Sequence, residues 1–213
     1  MSARGDPARR RRSTGERAPR PHRPSPAPTG EGAERPLRLF VALELPDDVR
    51  ATLADAGAAA DPDVWRPVAP AALHLTLAFL GHRPPADVAA IERVLAAEAG
   101  GPAPRLELGA AVLLPPRRAR VLTLALHDPD GTLAALQARV SEGLHTAGVY
   151  RPDKRPYRAH VTIARLRPRA RAPRATDLAL TAAFHGGPLT LYESRLLPSG
   201  PRYVPLARVE LGP

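Results

Sequence analysis

Apolar residues alternate with polar ones, or run together in short blocks, along most of the chain after residue 36, and this pattern predicts an α+β fold. Strands are predicted near 37–45, 73–80, 105–114, 121–126, 159–166, 182–184, 189–196 and 204–210. Helices are predicted near 46–60, 84–99 and 132–146, each introduced by proline or acidic residues. Proline-bearing loops are predicted at 65–70 and 151–157.

Two of the predicted strands carry the same tripeptide, His74-Leu75-Thr76 and His160-Val161-Thr162. Residues two apart in a strand point to the same face, so each tripeptide presents an imidazole beside a hydroxyl while the intervening apolar residue faces a core. The alternative is that each histidine is an ordinary strand residue near the end of a sheet. One such tripeptide arises readily by chance among seven histidines, but two in matching contexts do not.

The paired motifs indicate a particular chemistry. Two imidazoles that face each other across a cleft can act as general acid and general base, and two hydroxyls beside them can hold phosphate oxygens. These are the parts of a phosphodiesterase site that needs no metal.

The segments before the two motifs also resemble each other. Trp65-Arg66-Pro67 precedes the first motif and Tyr150-Arg151-Pro152 precedes the second, and each motif strand follows a helix and a proline-bearing loop. This arrangement predicts two similar lobes, each of which contributes one motif strand to a shared central cleft.

Composition limits the remaining possibilities. The chain has 213 residues and no cysteine, which excludes disulfides, thiol nucleophiles and cysteine-based metal sites. Residues 1–36 carry nine arginines against four acidic residues and almost no apolar side chains, so we expect a disordered basic tail before a domain at 37–213. The net charge of +10 is weak evidence for a nucleic-acid partner, since arginine is heavily used throughout the chain. No apolar run is long enough to span a membrane, and we expect a cytoplasmic protein.

These motifs resemble those of the 2H phosphoesterase superfamily, and within it the RNA 2′,3′-cyclic phosphodiesterases, also described as 2′-5′ RNA ligases. The likeness rests on Arg38-Leu39-Phe40-Val41-Ala42-Leu43, on Leu73–Gly81 and on Arg158–Arg165. It covers the chain from about Leu37 to the C-terminus. Ala159 stands where the family pattern has proline.

The resemblance implies a bilobal fold and the hydrolysis of a terminal RNA 2′,3′-cyclic phosphate to a 2′-phosphate. It implies that His74 is the proton donor and His160 the proton acceptor, and it implies neither cofactor nor metal. Thr76 and Thr162 are expected to bind the non-bridging phosphate oxygens. The expected partner is RNA ending in a 2′,3′-cyclic phosphate, and we expect a monomer.

Arg165 is a further candidate, as a phosphate clamp. It lies five positions after His160, so a regular strand would turn it away from the cleft, and a salt-bridged surface arginine is an equal alternative. Arg158 has the correct parity and is an alternative clamp. Phe79 could stack on a base, although a core position is the favoured interpretation.

Two other functions remain open at this point. One is a related enzyme that acts on a small nucleotide, such as a 2′-5′ oligoadenylate or an ADP-ribose cyclic phosphate. The other is an RNA-end-binding protein without catalysis, against which the two intact motifs argue. A metallohydrolase is the least favoured, because no carboxylate or cysteine ligand lies near either motif.

Overall fold

The computed structural model describes residues 35–197 and 200–212, which contain nine strands, three α-helices and two short 3₁₀ helices. The strands are β1 (Leu37–Leu43), β2 (Trp65–Pro67), β3 (Leu75–Arg83), β4 (Arg105–Leu114), β5 (Val121–His127), β6 (His160–Leu166), β7 (Ala183–His185), β8 (Leu189–Leu197) and β9 (Gly200–Val209). The α-helices are α1 (Asp47–Ala58), α2 (Val88–Ala96) and α3 (Thr132–Thr146), and the 3₁₀ helices are Pro70–Ala72 and Pro85–Asp87. The predicted basic tail lies, except for its last two residues, outside the described residues.

The strands form one antiparallel arrangement in two halves. Its order is β7-β4-β5-β6-β3-β1-β8-β9, and β2 pairs with the outer part of β6. The first half contains β1, β3, β8 and β9, and the second contains β2, β4, β5, β6 and β7. One residue pair, Leu75 with Val161, joins β3 to β6 between the halves. The predicted α+β fold with two sheet lobes is therefore confirmed.

Two of the three α-helices, α1 and α3, cross between the halves. The helix α1 follows β1 in the chain but packs against β2 and β6 of the other half, and α3 follows β5 but packs against β3 and β4. Gly57 lets α1 lie close to β6, because a Cβ atom there would come within 2.6 Å of the Ile163 carbonyl oxygen. Each motif strand is thus covered by the helix that follows a strand of the opposite half.

A leucine-rich core lies between the helices and the sheet. β1, the central strand of its half, is buried along five consecutive residues, Leu39 to Leu43. The side chains of Leu75, Val161 and Ile163 are all fully buried. The apolar positions of both motif strands therefore face the predicted core, and burial of each such side chain contributes on the order of 1.5–3 kcal/mol.

Several predicted elements and boundaries were wrong, among them the end of β3, which is Arg83 rather than residue 80. Trp65–Pro67 was predicted to be a loop but forms β2, because these residues pair with Ala164 to Leu166 and bury the Trp65 ring. The helix α2 ends at Ala96 rather than Ala99, and β9 begins at Gly200 rather than Val204. β9 is longer because its backbone continues to pair with β8 as far as Leu197.

Candidate active site

The two motifs meet at the joint between the halves. Because Leu75 pairs with Val161 in an antiparallel register, His74 lies opposite Thr162 and Thr76 lies opposite His160. The four side chains therefore share one face, with the histidines on a diagonal. Diagonal neighbours on adjacent strands lie roughly 7–8 Å apart, which is enough for one phosphorus atom with an oxygen on either side.

Both imidazoles are held in the same way. The Nδ1 atom of His74 lies 2.8 Å from the carbonyl oxygen of Ala72, and Nδ1 of His160 lies 2.7 Å from that of Arg158. A carbonyl oxygen only accepts hydrogen bonds, so Nδ1 carries the proton and donates it in each ring. Each Nε2 is thereby the nitrogen left to exchange a proton with a substrate.

A cleft of about 310 Å³ lies over this joint. His74, Thr76, His160 and Thr162 line it together with Arg165 and Phe79. The Thr76 hydroxyl lies 3.1 Å from His74 Nε2 and donates to it when the ring is neutral. The structure thus brings all five sequence-predicted site residues into a single cleft, with Phe79 as a sixth.

Matching β-bulges explain how Arg165 reaches the cleft. In β6, Thr162 and Ala164 pair with consecutive residues of β5, so Ile163 between them is an extra residue. In β3, Thr76 and Ala78 pair with consecutive residues of β1, so Leu77 is the equivalent extra residue. An extra residue reverses the alternation beyond it. Arg165 and Phe79, each five positions after a motif histidine, are therefore turned to the same face as the imidazoles.

The carbonyl groups of both bulged residues find partners outside the regular ladder. The backbone nitrogen of Val68 donates to the Ile163 oxygen at 2.8 Å, and Gln137 of α3 donates to the Leu77 oxygen at 3.4 Å. Next to the contact between Gln137 and Leu77, the Tyr157 hydroxyl donates to the Thr76 carbonyl oxygen at 3.0 Å. Hydrogen-bonded carbonyls keep a bulge from costing the free energy of an unsatisfied buried polar group.

The structure decides between the alternatives for the residues near the motifs. Arg158 is exposed and does not line the cleft, and it contributes its carbonyl to His160 rather than a clamp. The interpretation of Phe79 as a core residue was wrong, because its side chain is 49% exposed at the edge of the cleft. The bulge at Leu77, which the local sequence does not reveal, turns Phe79 outward, whereas Arg158 lies before β6 begins.

His74 has a more enclosed environment than His160. Its ring lies 4.8 Å from the Phe40 ring and 5.1 Å from the Tyr203 ring, centroid to centroid. The pKa of His74 is lowered to about 4, chiefly because the ring is buried. The hydrogen bond to Ala72 acts in the opposite direction and raises this pKa, and the charges of Arg165 and His160 lower it further by smaller amounts. The His74 imidazole is therefore neutral at pH 7 when no anion is bound.

Several cleft residues were not predicted as site residues from the sequence. Arg38 and Phe40 come from β1, Ser194 from β8 and Tyr203 from β9, all distant from both motifs in the chain. Arg38 donates a 2.7 Å hydrogen bond to the Ser194 hydroxyl, and its guanidinium lies 4.7 Å from the centre of the Phe79 ring. The pairing of β3 with β1, of β1 with β8 and of β8 with β9 brings these groups to the site.

Neither a cluster of metal-ligating side chains nor a membrane-spanning helix occurs in the part of the chain that the structure describes. No group of three or more histidine, aspartate or glutamate side chains able to hold a metal ion occurs in residues 35–197 or 200–212. None of the helices assigned in those ranges has the length and apolar character needed to cross a bilayer.

Comparison with known proteins gives consistent results. Residues 45–195 match the family model described as the 2′-5′ RNA ligase superfamily. A Thermus thermophilus protein named RNA 2′,3′-cyclic phosphodiesterase is 34% identical over 184 residues, which cover 82% of this chain and 90% of that protein. An Escherichia coli protein of the same name is 31% identical over 174 residues, covering 81% and 96%. The crystal structure of E. coli LigT complexed with 3′-AMP superimposes with a TM-score of 0.71 at 29% identity, covering 83% of this chain and 98% of LigT.

Proposed function

The chain belongs to the 2′-5′ RNA ligase superfamily of 2H phosphoesterases, and on that premise we propose that it is an RNA 2′,3′-cyclic phosphodiesterase. It hydrolyses a terminal cyclic phosphate to a 2′-phosphate and a free 3′-hydroxyl. One observation carries the proposal: two imidazoles from different halves line one cleft, each with Nδ1 bonded to a backbone carbonyl. Each is accompanied by its own threonine.

The reaction requires two groups on opposite sides of phosphorus. Water attacks in line with the leaving oxygen, so one group must remove a proton from water and another must protonate the oxygen that leaves. In this mechanism His160 Nε2 accepts the water proton as the new P–O bond forms. The bond from phosphorus to the 3′ oxygen breaks, and that oxygen takes a proton from His74 Nε2.

The assignment of donor and acceptor rests on the resemblance to the family. The cleft offers separate places for the base and for the phosphate. Phe79, on β3, has an exposed aromatic face, and Arg165, on β6, is the cation whose charge acts on His74. The base fits the half that contains His74, and the phosphate oxygens fit between Arg165 and the two threonines.

His74 acquires its proton together with the substrate. A bound anion stabilises the imidazolium form, so it raises the pKa of His74 from about 4 towards neutrality, by roughly one unit or more. By linkage, protonation of His74 must then strengthen anion binding by the same factor. The free enzyme keeps a neutral ring, and the complex holds a larger fraction of His74 in the protonated form that donates.

We expect NMR titration to show this change directly. The His74 ring signals should titrate near pH 4 in the protein alone and at a higher pH with saturating sulfate, a tetrahedral anion that does not itself titrate in this range. Sulfate affinity should rise as pH falls through the raised pKa. A His74→Gln variant assigns the signals, and an unchanged His74 pKa with sulfate bound would contradict the proposed protonation on binding.

The threonines should contribute through single hydrogen bonds. We expect Thr76→Val and Thr162→Val each to reduce kcat/KM by roughly 10-fold or more, because a hydrogen bond to a charged group contributes about 1.5–3 kcal/mol. Valine keeps the shape of the side chain and removes the hydroxyl. Thr76→Ser and Thr162→Ser are the matched controls and should retain most activity, as steady-state kinetics on a cyclic-phosphate substrate will show.

The test of the proposed function is an incubation of the full chain with an oligoribonucleotide that ends in a 2′,3′-cyclic phosphate. Mass spectrometry should show the addition of one water, and ³¹P NMR should identify a 2′-phosphomonoester. The assay is run in EDTA, where activity should be fully retained. Loss of activity in EDTA with recovery on adding a divalent ion would contradict the two-histidine mechanism.

The same assay separates the alternatives. Turnover of a 2′-5′ oligoadenylate or an ADP-ribose cyclic phosphate but not of the RNA end would indicate a small-nucleotide enzyme. Tight binding of 2′-phosphorylated RNA without turnover would indicate a non-catalytic protein. We further propose a monomer, because one chain supplies both motif strands, and a cytoplasmic location, in keeping with an RNA substrate.

A further inference from the structure

A second, larger groove opens beside the catalytic cleft. It has a volume of about 570 Å³, and Arg38, Ser194 and Leu196 line both the groove and the cleft. The pairing of β1 with β8 stops at Leu39 and Glu193, so the last four residues of β8 continue beyond the paired part of β1. The groove lies along this end of β8, within the half that contains His74.

The charge of the groove is predominantly positive. Arg35, Arg38 and Arg195 line it together with one acidic residue, Glu193. Glu193 pairs with Arg195 at 2.7 Å. Within the described part of the chain, Arg35 and Arg38 have no acidic partner, and Arg38 bonds instead to the neutral Ser194 hydroxyl. Such a groove attracts a polyanion and holds it through phosphate contacts.

Exposed apolar side chains are gathered at the same place. Four large hydrophobic residues are exposed in the described ranges, and three of them, Phe79, Leu196 and Leu197, border the cleft or the groove at 49%, 72% and 45% exposure. Exposed apolar side chains that cluster in this way are typical of binding sites, whereas single exposed ones are common on any protein surface. A basic groove with apolar and aromatic platforms is how proteins bind single-stranded nucleic acid, with phosphates on the cations and bases on the platforms.

We propose that this groove binds the nucleotides on the 5′ side of the cyclic phosphate, so that the preferred substrate is a single-stranded oligonucleotide rather than a mononucleotide. The inference rests on the proposed function, which places the terminal nucleoside in the half with His74 and Phe79. From there the chain continues past Arg38, whose guanidinium covers the Phe79 ring, into the groove. Arg35 and Arg195 contact its phosphates, and Leu197 packs against a base.

The basic segment 167–174 offers a competing route on the other side of the cleft. This segment comes directly after β6 in the chain, whereas the groove lies at the end of β8. The cation Arg165, at that side, is engaged by the reacting phosphate in the proposed mechanism. Another cavity that adjoins Arg165 measures about 130 Å³, against about 570 Å³ for the groove. The observations therefore favour the groove, and the competing route becomes an outcome of the test.

The test compares two substrates with the same terminal nucleoside, adenosine 2′,3′-cyclic phosphate and a trinucleotide that ends in it. For the unaltered chain, kcat/KM for the trinucleotide should exceed that for the mononucleotide by about 10-fold or more, since each stacked base contributes roughly 1–3 kcal/mol. The double variant Arg35→Ala/Arg195→Ala should lower this ratio by about 10-fold. It should also make the slope of log(kcat/KM) against log[salt] for the trinucleotide less steep by about 1.4. Each lost phosphate contact on a single strand changes this slope by about 0.7.

The matched control is Arg171→Ala/Arg174→Ala, which removes the same charge from two exposed positions of the competing segment. It should leave the ratio within twofold of the unaltered chain. A ratio near one for the unaltered chain, or a control that lowers the ratio as much as the groove variant, would overturn the inference while the proposed function stands. If neither substrate is turned over, it is the proposed function that fails.

Discussion

Replacing His160 or His74 with alanine should reduce kcat by about 10²–10⁴-fold, the usual contribution of a general base or a general acid. Without His160 no group in the cleft is placed to remove the proton from water. Without His74 the 3′ oxygen must leave as an alkoxide. KM should change much less than kcat, because both imidazoles act mainly in the transition state. Single-turnover and steady-state kinetics on a cyclic-phosphate oligonucleotide measure both constants.

The double variant gives a sharper result than either single one. Because the two imidazoles act on the same transition state, His74→Ala/His160→Ala should be little worse than the poorer single variant. His185→Ala is the matched control, since His185 is an exposed histidine at the end of β7 and does not line the cleft. Near-normal kcat in both single variants would refute the two-histidine mechanism.

Replacing Arg165 with glutamine should reduce kcat/KM by roughly 10–100-fold, which corresponds to the loss of a charge-assisted hydrogen bond of about 1.5–3 kcal/mol. The guanidinium can contact two phosphate oxygens at once, and lysine cannot reproduce that geometry, so Arg165→Lys should recover only part of the loss. A second effect follows from electrostatics. The Arg165 charge lowers the pKa of His74, so its removal should raise that pKa in the free protein.

This second effect separates a role at the site from a structural one. An NMR titration of the His74 ring in Arg165→Gln should show a pKa above that of the unaltered chain. Arg158→Gln is the matched control, because Arg158 was the other candidate clamp and its side chain is exposed outside the cleft. If Arg158→Gln lost activity and Arg165→Gln did not, the assignment of the clamp would be reversed.

The core of the site could be predicted because it depends on local sequence. Alternation in the two motif strands correctly assigned His74, Thr76, His160 and Thr162 to one face, since a strand has a period of two. The pairing of Leu75 with Val161, which brings the two motifs together, follows from no local pattern. Only the repetition of the motif indicated it.

The errors concern positions where a neighbouring strand decides the outcome. Phe79 was predicted to be buried and Arg165 was left undecided, because the bulges at Leu77 and Ile163 become visible only when β3 is paired with β1 and β6 with β5. Trp65 lies in a segment with proline, which favours a loop, yet pairing with Leu166 makes the segment a strand. Tertiary pairing overrides local preference in such cases.

The crossing of the two long helices has a consequence for the integrity of the molecule. Since α1 covers β6 and α3 covers β3, a cut in the connection between α2 and β4 would not release two self-sufficient modules. Each fragment would carry a motif strand whose apolar face has lost the helix that covers it, and a helix that has lost one of its two strand partners. The fragments should be inactive apart and regain activity when mixed, as in split-enzyme complementation, because each one completes the interior of the other.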